Sequence, residues 1–122
     1  MKIAITAKGD NLEAEVDPIF GRCQYFIIVD SETMEFEALI NDSASAMGGA
    51  GPQAVQFISK HGAEAIITGN LGPNASQAVN AAGIKAFTGA GGTSVREALE
   101  QQKNGKLQES NSATVGSHAG MR

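Results

Sequence analysis

The amino-acid sequence predicts an α/β domain, and three observations carry that expectation. Short β-branched runs alternate with segments that open on a Gly-Pro pair or a capping residue and close on glycine. Hydrophobic residues make up 42% of the chain but aromatics only 5%, so alanine and glycine supply much of the apolar count. Slim helices lying close against a sheet use such a composition. A length of 122 residues makes one domain that can bury a core without disulfides or a structural metal.

The elements follow in chain order. Ile3 to Ala7 reads as a first apolar strand. Lys8 to Arg22 is polar and interrupted by Gly9, Pro18 and Gly21, so it reads as a long loop. Gln24 to Asp30 is rich in aromatic and β-branched residues and forms a second strand. Ser31-Glu32-Thr33 is a turn, and Met34 to Ile40 alternates apolar and polar as a third strand. The second and third strands make an antiparallel hairpin. Gly51-Pro52 opens a helix with proline in its first turn, where the missing N–H costs nothing. Ala54, Val55, Phe57 and Ile58 give it an apolar side, and Gly62 stops it. Ala65 to Thr68 is a buried strand. Gly72-Pro73 opens a second helix lined by Ala75, Ala78, Val79 and Ala82 and ended by Gly83, and Ile84 to Phe87 is the last strand. Ser94 and Glu97 then stand at capping-box spacing before a helix that buries Val95, Ala98 and Leu99 and closes at Gly105. The domain expected is residues 1–108. Residues 109–122 are small, polar and aperiodic, which predicts a disordered tail that includes His118.

Composition excludes several classes of function. The net charge is −4 and the nine Lys and Arg residues are scattered, so no basic face for nucleic acid is expected. Nothing approaches the ~18 consecutive apolar residues of a membrane span. The opening Met1 to Ile5 reads as a strand without the apolar stretch of a signal peptide. Cys23 is the single cysteine, which forbids an internal disulfide and fits a reducing, cytoplasmic location.

Strand directions turn the loops into a site. With the first strand pointing up, the hairpin runs down and then up, and right-handed helical crossovers make the last two strands point up as well. The 8–22, 41–51, 69–73 and 88–94 loops then share one edge of the sheet, together with Cys23. Ligands of open α/β sheets bind outside the carboxyl ends of the strands. Gly48-Gly49-Ala50-Gly51, Gly69-Asn70-Leu71-Gly72 and Gly91-Gly92-Thr93 each lead into a helix N-terminus. Unpaired N–H groups and the positive end of the helix dipole favour an anion there. Arg22 and Lys8 bring full positive charge to the same edge.

Individual candidates have two roles open to them. Cys23 is either a soft metal ligand or a small hydrophobe at the start of a buried strand. Met47 either touches a soft metal or covers apolar surface. Arg22, beside Gly21, is read as an anion contact. His61, just before Gly62, is read as capping the end of its helix, at the opposite edge of the sheet. Catalytic constellations are not indicated. The first strand carries no carboxylate, and Ser94 occupies the third glycine position of a GxGxxG pattern begun by Gly89 and Gly91. There is no Walker motif, HExxH, or Ser–His–Asp set. A binding protein rather than an enzyme is expected.

Several motifs in order resemble one family. Asp17-Pro18-Ile19-Phe20-Gly21-Arg22-Cys23-Gln24-Tyr25-Phe26, Asn41-Asp42-Ser43-Ala44-Ser45, Gly48-Gly49-Ala50-Gly51, Thr68-Gly69-Asn70-Leu71-Gly72-Pro73 and Gly91-Gly92-Thr93 are similar to signatures of the dinitrogenase iron–molybdenum cofactor biosynthesis family. The likeness spans residues 1 to 108. It implies a three-layer α/β/α, RNase H-like arrangement with a five-stranded mixed sheet in the order 3-2-1-4-5. It also implies a carrier of a metal–sulfur cluster. Relatives include carriers of nitrogenase cofactor precursors and small stand-alone members of the orange-protein type, associated with a non-covalently held molybdenum–copper sulfide cluster. Neither His61 nor His118 falls in a matching motif, which points toward the second type. A recipient or donor protein is the further partner implied. The alternatives are a phosphate-metabolite or nucleotide binder using the same helix termini, and a protein-interaction adaptor.

Overall fold

A computed structural model describes residues 1–41 and 50–109. β1, Lys2–Ala7, lies at the centre of the sheet and is buried along all but its first residue. Its side chains alternate between faces, as strand geometry requires. Ile3, Ile5 and Ala7 enter one buried cluster, and Ala4 enters the other. β2, Tyr25–Asp30, pairs antiparallel with β1, matching Lys2 to Asp30 and Ala7 to Tyr25. β3, Phe36–Ile40, pairs antiparallel with β2, matching Val29 to Phe36 and Tyr25 to Ile40.

The hairpin turn takes two residues that the alternation assigned to the third strand. The Asp30 carboxylate accepts from the Glu32 amide at 2.9 Å and the Thr33 amide at 3.4 Å, an Asx turn. Met34 closes it with φ of 65°. These hydrogen bonds, that from Glu32 foremost, hold the Asp30 carboxyl below the usual carboxylate pKa.

The helical half follows. α1 spans Ala50–Lys60 and β4 spans Ala65–Ile67. α2 spans Pro73–Ala81 and β5 spans Lys85–Thr88. β4 is parallel to β1 and β5 is parallel to β4. α1 ends where His61 Nδ1 donates to the Phe57 carbonyl at 2.9 Å and Gly62 turns left-handed at φ of 83°. That is the capping role the sequence predicts for this histidine. α3, Val95–Lys103, begins at Ser94, whose hydroxyl accepts from the Glu97 amide at 3.1 Å.

A short strand β6, Gln108–Glu109, then pairs antiparallel with β5, matching Thr88 to Gln108 and Phe87 to Glu109. Among the described residues the sheet therefore has six strands in the order β3-β2-β1-β4-β5-β6. The first five stand in the expected order. The sixth extends the sheet into Glu109, at the start of the segment read as a tail. Two exposed polar residues carry no periodicity, so nothing in their pattern marks a strand.

Helices cover both faces of the sheet. Ala54, Val55 and Ile58 of α1 and Ala75 and Val79 of α2 pack on Ala4, Phe26, Ile28, Ile66 and Ala86. On the other face Val95, Ala98 and Leu99 of α3 pack on Ile3, Ile5, Ile27, Val29, Ala65 and Ile67. Each fully buried aliphatic side chain contributes about 1.5–3 kcal/mol relative to exposure. No helix among the described residues is long and apolar enough to cross a membrane.

Candidate functional site

Because β1, β4 and β5 run parallel and β2 runs against β1, their carboxyl ends share one rim with the start of β2. The 8–22 loop is folded down onto this rim. Leu12, Val16 and Phe20 recur every fourth residue and are all buried. They anchor a segment whose other residues are mostly polar. Leu12 and Val16 join the cluster under α3, whereas Phe20 joins the cluster under α1 and α2. The loop thus crosses the end of the sheet from one face to the other.

Hydrogen bonds stitch the loop to its neighbours. Val16 donates its amide to the Thr93 carbonyl at 2.7 Å, Asp17 to Thr6 at 2.9 Å and Asn70 to Pro18 at 2.7 Å. The Thr6 hydroxyl donates to the Asp17 carbonyl at 2.7 Å and is hydrogen-bonded to the Thr68 hydroxyl at 2.9 Å. Both threonines are buried yet satisfied. Two glycines permit the close approach. A Cβ on Gly69 would stand 2.6 Å from Pro18 Cα, and one on Gly91 would stand 3.2 Å from Pro18 Cβ. These positions need glycine for backbone packing, whether or not they also face a ligand.

The three helix N-termini are not equivalent. At α3 the protein uses its own acceptors. The Val95 amide donates to Ala14 at 2.9 Å, the Arg96 amide to Leu12 at 2.9 Å, and the Glu97 amide to the Ser94 side chain. In the preceding turn the amides of Gly92 and Thr93 bond to Val16 and Ala90. The Thr93 hydroxyl also turns back to the Ala90 carbonyl at 2.8 Å. Gly92 and Thr93 are therefore engaged in holding the turn.

α2 is the opposite case. Its N-cap, Gly72, has no side chain to accept a hydrogen bond, and the Ser76 amide donates to the Gly72 carbonyl at 2.9 Å. The amides of Gly72, Asn74 and Ala75 have no acceptor among the described residues. Asn70 and Asn74 are exposed beside them, and Leu71 is buried beneath. α1 joins α2 at this point: a Cβ on Gly51 would lie 2.9 Å from Ala75 Cβ, so the first turns of both helices touch. Two positive helix ends therefore lie side by side on one face of the sheet.

Cys23 sits under this rim with none of its surface exposed. Burial pushes its thiol up to about 12, the charge of Asp17 adds to the shift, and the Asn41 side chain opposes it. Such a thiol is packed as a core group. Asn41 clamps the end of the loop: its Nδ2 donates to the carbonyls of Gly21 and Cys23, both at 2.9 Å. Its role was not singled out from the sequence. A buried asparagine at a strand end is the signal that points to it. Arg22 is exposed between the two clamped carbonyls. Met47, Gly48 and Gly49 lie outside the described residues, as does the side chain of Ala50. Among the described residues no group of three or more His, Cys, Asp or Glu is placed to hold a metal ion.

Fixed charge separates the two ends of the rim. Lys8 pairs with Glu15 at 3.3 Å, and Arg96 pairs with Glu13 at 2.6 Å, all on the α3 side. The lysine expected to meet an anion is thus matched by a carboxylate. What this geometry offers an anion lies at the joined first turns of α1 and α2.

Comparison with known proteins places the fold in a family. The dinitrogenase iron-molybdenum cofactor profile matches residues 1–105. The chain belongs to that family. Among solved structures, the apo form of the orange protein from Desulfovibrio gigas superposes with a TM-score of 0.89 at 38% identity, covering 93% of this chain and 95% of the other. A NifB-like protein from Thermotoga superposes with a TM-score of 0.79, also at 38% identity, covering 93% and 96% of the two chains. An uncharacterised protein from Methanocaldococcus jannaschii is 34% identical over 112 residues, which is 89% of this chain and 91% of that one. The family relates to the iron–molybdenum cofactor, which makes this a cofactor-related protein.

Proposed function

We propose that the chain is a non-catalytic carrier that holds an anionic metal–sulfur cluster against the joined N-termini of α1 and α2. The molybdenum–copper sulfide type and the iron–molybdenum cofactor type are the two cargoes that family membership supports. One observation carries the proposal. The amides of Gly72, Asn74 and Ala75 have no acceptor among the described residues, whereas those of Val95, Arg96 and Glu97 are all engaged. Each exposed helix terminus contributes about 0.3–1 kcal/mol toward an anion, rising to ~2 where partly buried. Arg22, exposed at the same rim, adds a full charge.

The donor set supports one kind of cluster over another. With Cys23 buried as a thiol and no three-residue ligand group among the described residues, the protein offers hydrogen-bond donors and positive charge. A cluster that brings its own sulfide ligands needs just that, whereas one that depends on several protein thiolates does not fit. Held by charge and amides alone, the cluster stays exchangeable, as delivery to a recipient protein requires. No reaction step is assigned to any residue.

The test is reconstitution. Apo protein mixed with tetrathiomolybdate and Cu(I) should show a visible charge-transfer band and molybdenum that co-elute with the protein in gel filtration. Arg22→Glu should release most of the colour. Chromophore eluting apart from wild-type protein would refute the proposal. Inorganic phosphate and nucleotides form the control arm. A thermal shift with these and none with the cluster would favour a phosphate-metabolite binder on the same amides.

A further inference from the structure

The edge strand β3 has a feature that the rim does not account for. Among the described residues it ends the sheet, pairing only with β2. Its sequence, FEALI, contains neither lysine nor proline, the residues that most often block an edge from pairing. Phe36 is 43% exposed and Ile40 is 66% exposed. They lie on one face with Ala38, which packs against the cluster containing Ile27 and Val29. That is the face α3 covers, and α3 leaves the β3 margin of it open.

The direction of the backbone groups follows from the hairpin. Asp30 donates its amide to the Glu35 carbonyl at 2.9 Å, and Asn41 donates to Gln24 at 3.0 Å. Antiparallel ladders alternate, so Glu35, Glu37, Leu39 and Asn41 aim their N–H and C=O groups at β2. Phe36, Ala38 and Ile40 therefore aim theirs outward, away from the sheet. The three residues whose edge groups have no partner among the described residues are the same three that share the open apolar face.

We infer that β3 pairs antiparallel with β3 of a second copy of this chain, across a two-fold axis through Ala38. In that register Phe36 stands opposite the partner's Ile40, Ala38 opposite the partner's Ala38, and Ile40 opposite the partner's Phe36. All three are positions whose backbone groups point outward, so the register yields about six inter-strand hydrogen bonds. Glu37 meets the partner's Leu39, and Glu35 meets the partner's Asn41. No carboxylate stands directly opposite another, and the closest like charges are Glu37 and the partner's Glu37, diagonal neighbours across the axis. A second copy is the occupant because the strand complements itself in hydrogen bonding and in apolar pairing at a single register. The proposal does not depend on the cluster site, which lies at the joined first turns of α1 and α2 on the other face.

Sedimentation equilibrium of the full chain from micromolar to millimolar concentration tests the pairing. Wild type should associate to a dimer. Ala38→Pro removes an outward N–H and leaves the bonds to β2 intact, and Ile40→Lys places a charge on the exposed edge. Each should weaken association at least about tenfold. Hydrogen exchange gives the specific signature: the amides of Phe36, Ala38 and Ile40 should gain protection as concentration rises. A monomer at millimolar concentration would overturn the inference. So would a dimer that both variants leave unchanged, or edge amides whose exchange ignores concentration.

Discussion

Replacing Gly69 by alanine should unfold the rim selectively, because the new methyl group collides with a backbone that cannot step aside cheaply. The added Cβ would lie 2.6 Å from Pro18 Cα and 2.8 Å from the Pro18 carbonyl oxygen, where carbon contacts prefer roughly 3.5–4 Å. The Pro18 segment must retreat by about 1 Å, and the bond from the Asn70 amide to Pro18, now 2.7 Å, opens with it. Overpacking costs about 1–3 kcal/mol and the hydrogen bond about 0.5–1.5 kcal/mol. Loss of glycine's freedom in the unfolded chain returns about 0.4–1 kcal/mol. The net destabilisation expected is about 1–3 kcal/mol, a fall of about 1 M in urea midpoint. Gly72→Ala is the control, since its Cβ meets nothing within 4 Å and its φ of −75° suits any residue. That variant should stay within about 0.5 kcal/mol of wild type. Equal midpoints for the two variants would refute the close-approach reasoning.

Three further outcomes are expected. Cys23 should react slowly with a thiol reagent in native buffer and at once in denaturant. Its folded pKa of about 12 lies above the ordinary 9.0, so its contribution to stability is complete below pH 9 and fades as pH climbs toward 12; Cys23→Ala should flatten that part of an alkaline denaturation profile. Asn41→Leu leaves the buried carbonyls of Gly21 and Cys23 without their donor and should cost about 2–4 kcal/mol in urea unfolding. Ser94→Ala removes the α3 cap and should cost about 1 kcal/mol by the same assay.

The strands and helices were legible because local chemistry marks them at both ends. Pro52 and Pro73, Ser94 with Glu97, and the closing glycines all stand where the helices begin and stop. The hairpin and the strand directions follow from that alternation and from crossover handedness, whereas the order of the first five strands is what the family resemblance implies. The rim was only partly legible. Glycine in a strand-to-helix loop signals backbone freedom, but it does not say whether a ligand or another loop uses the space. At Gly69 and Gly91 the space is taken by Pro18. Nor does sequence reveal which helix ends are already satisfied, since the acceptors for Val95 and Arg96 come from Ala14 and Leu12, far away along the chain. The expectation of three equivalent termini becomes a pair, with α3 closed. Cys23 was balanced between ligand and core, and its full burial favours the core. β6 was missed because two polar residues form a strand only through the neighbour they meet.

Amide chemical-shift mapping on isotope-labelled protein, titrated with tetrathiomolybdate and Cu(I), probes the anion cradle most directly. The largest changes should fall on Gly72, Asn74 and Ala75, with Val95, Arg96 and Glu97 scarcely moving. Perturbation centred on α3, or none at any helix start, would contradict a cluster held between the first turns of α1 and α2.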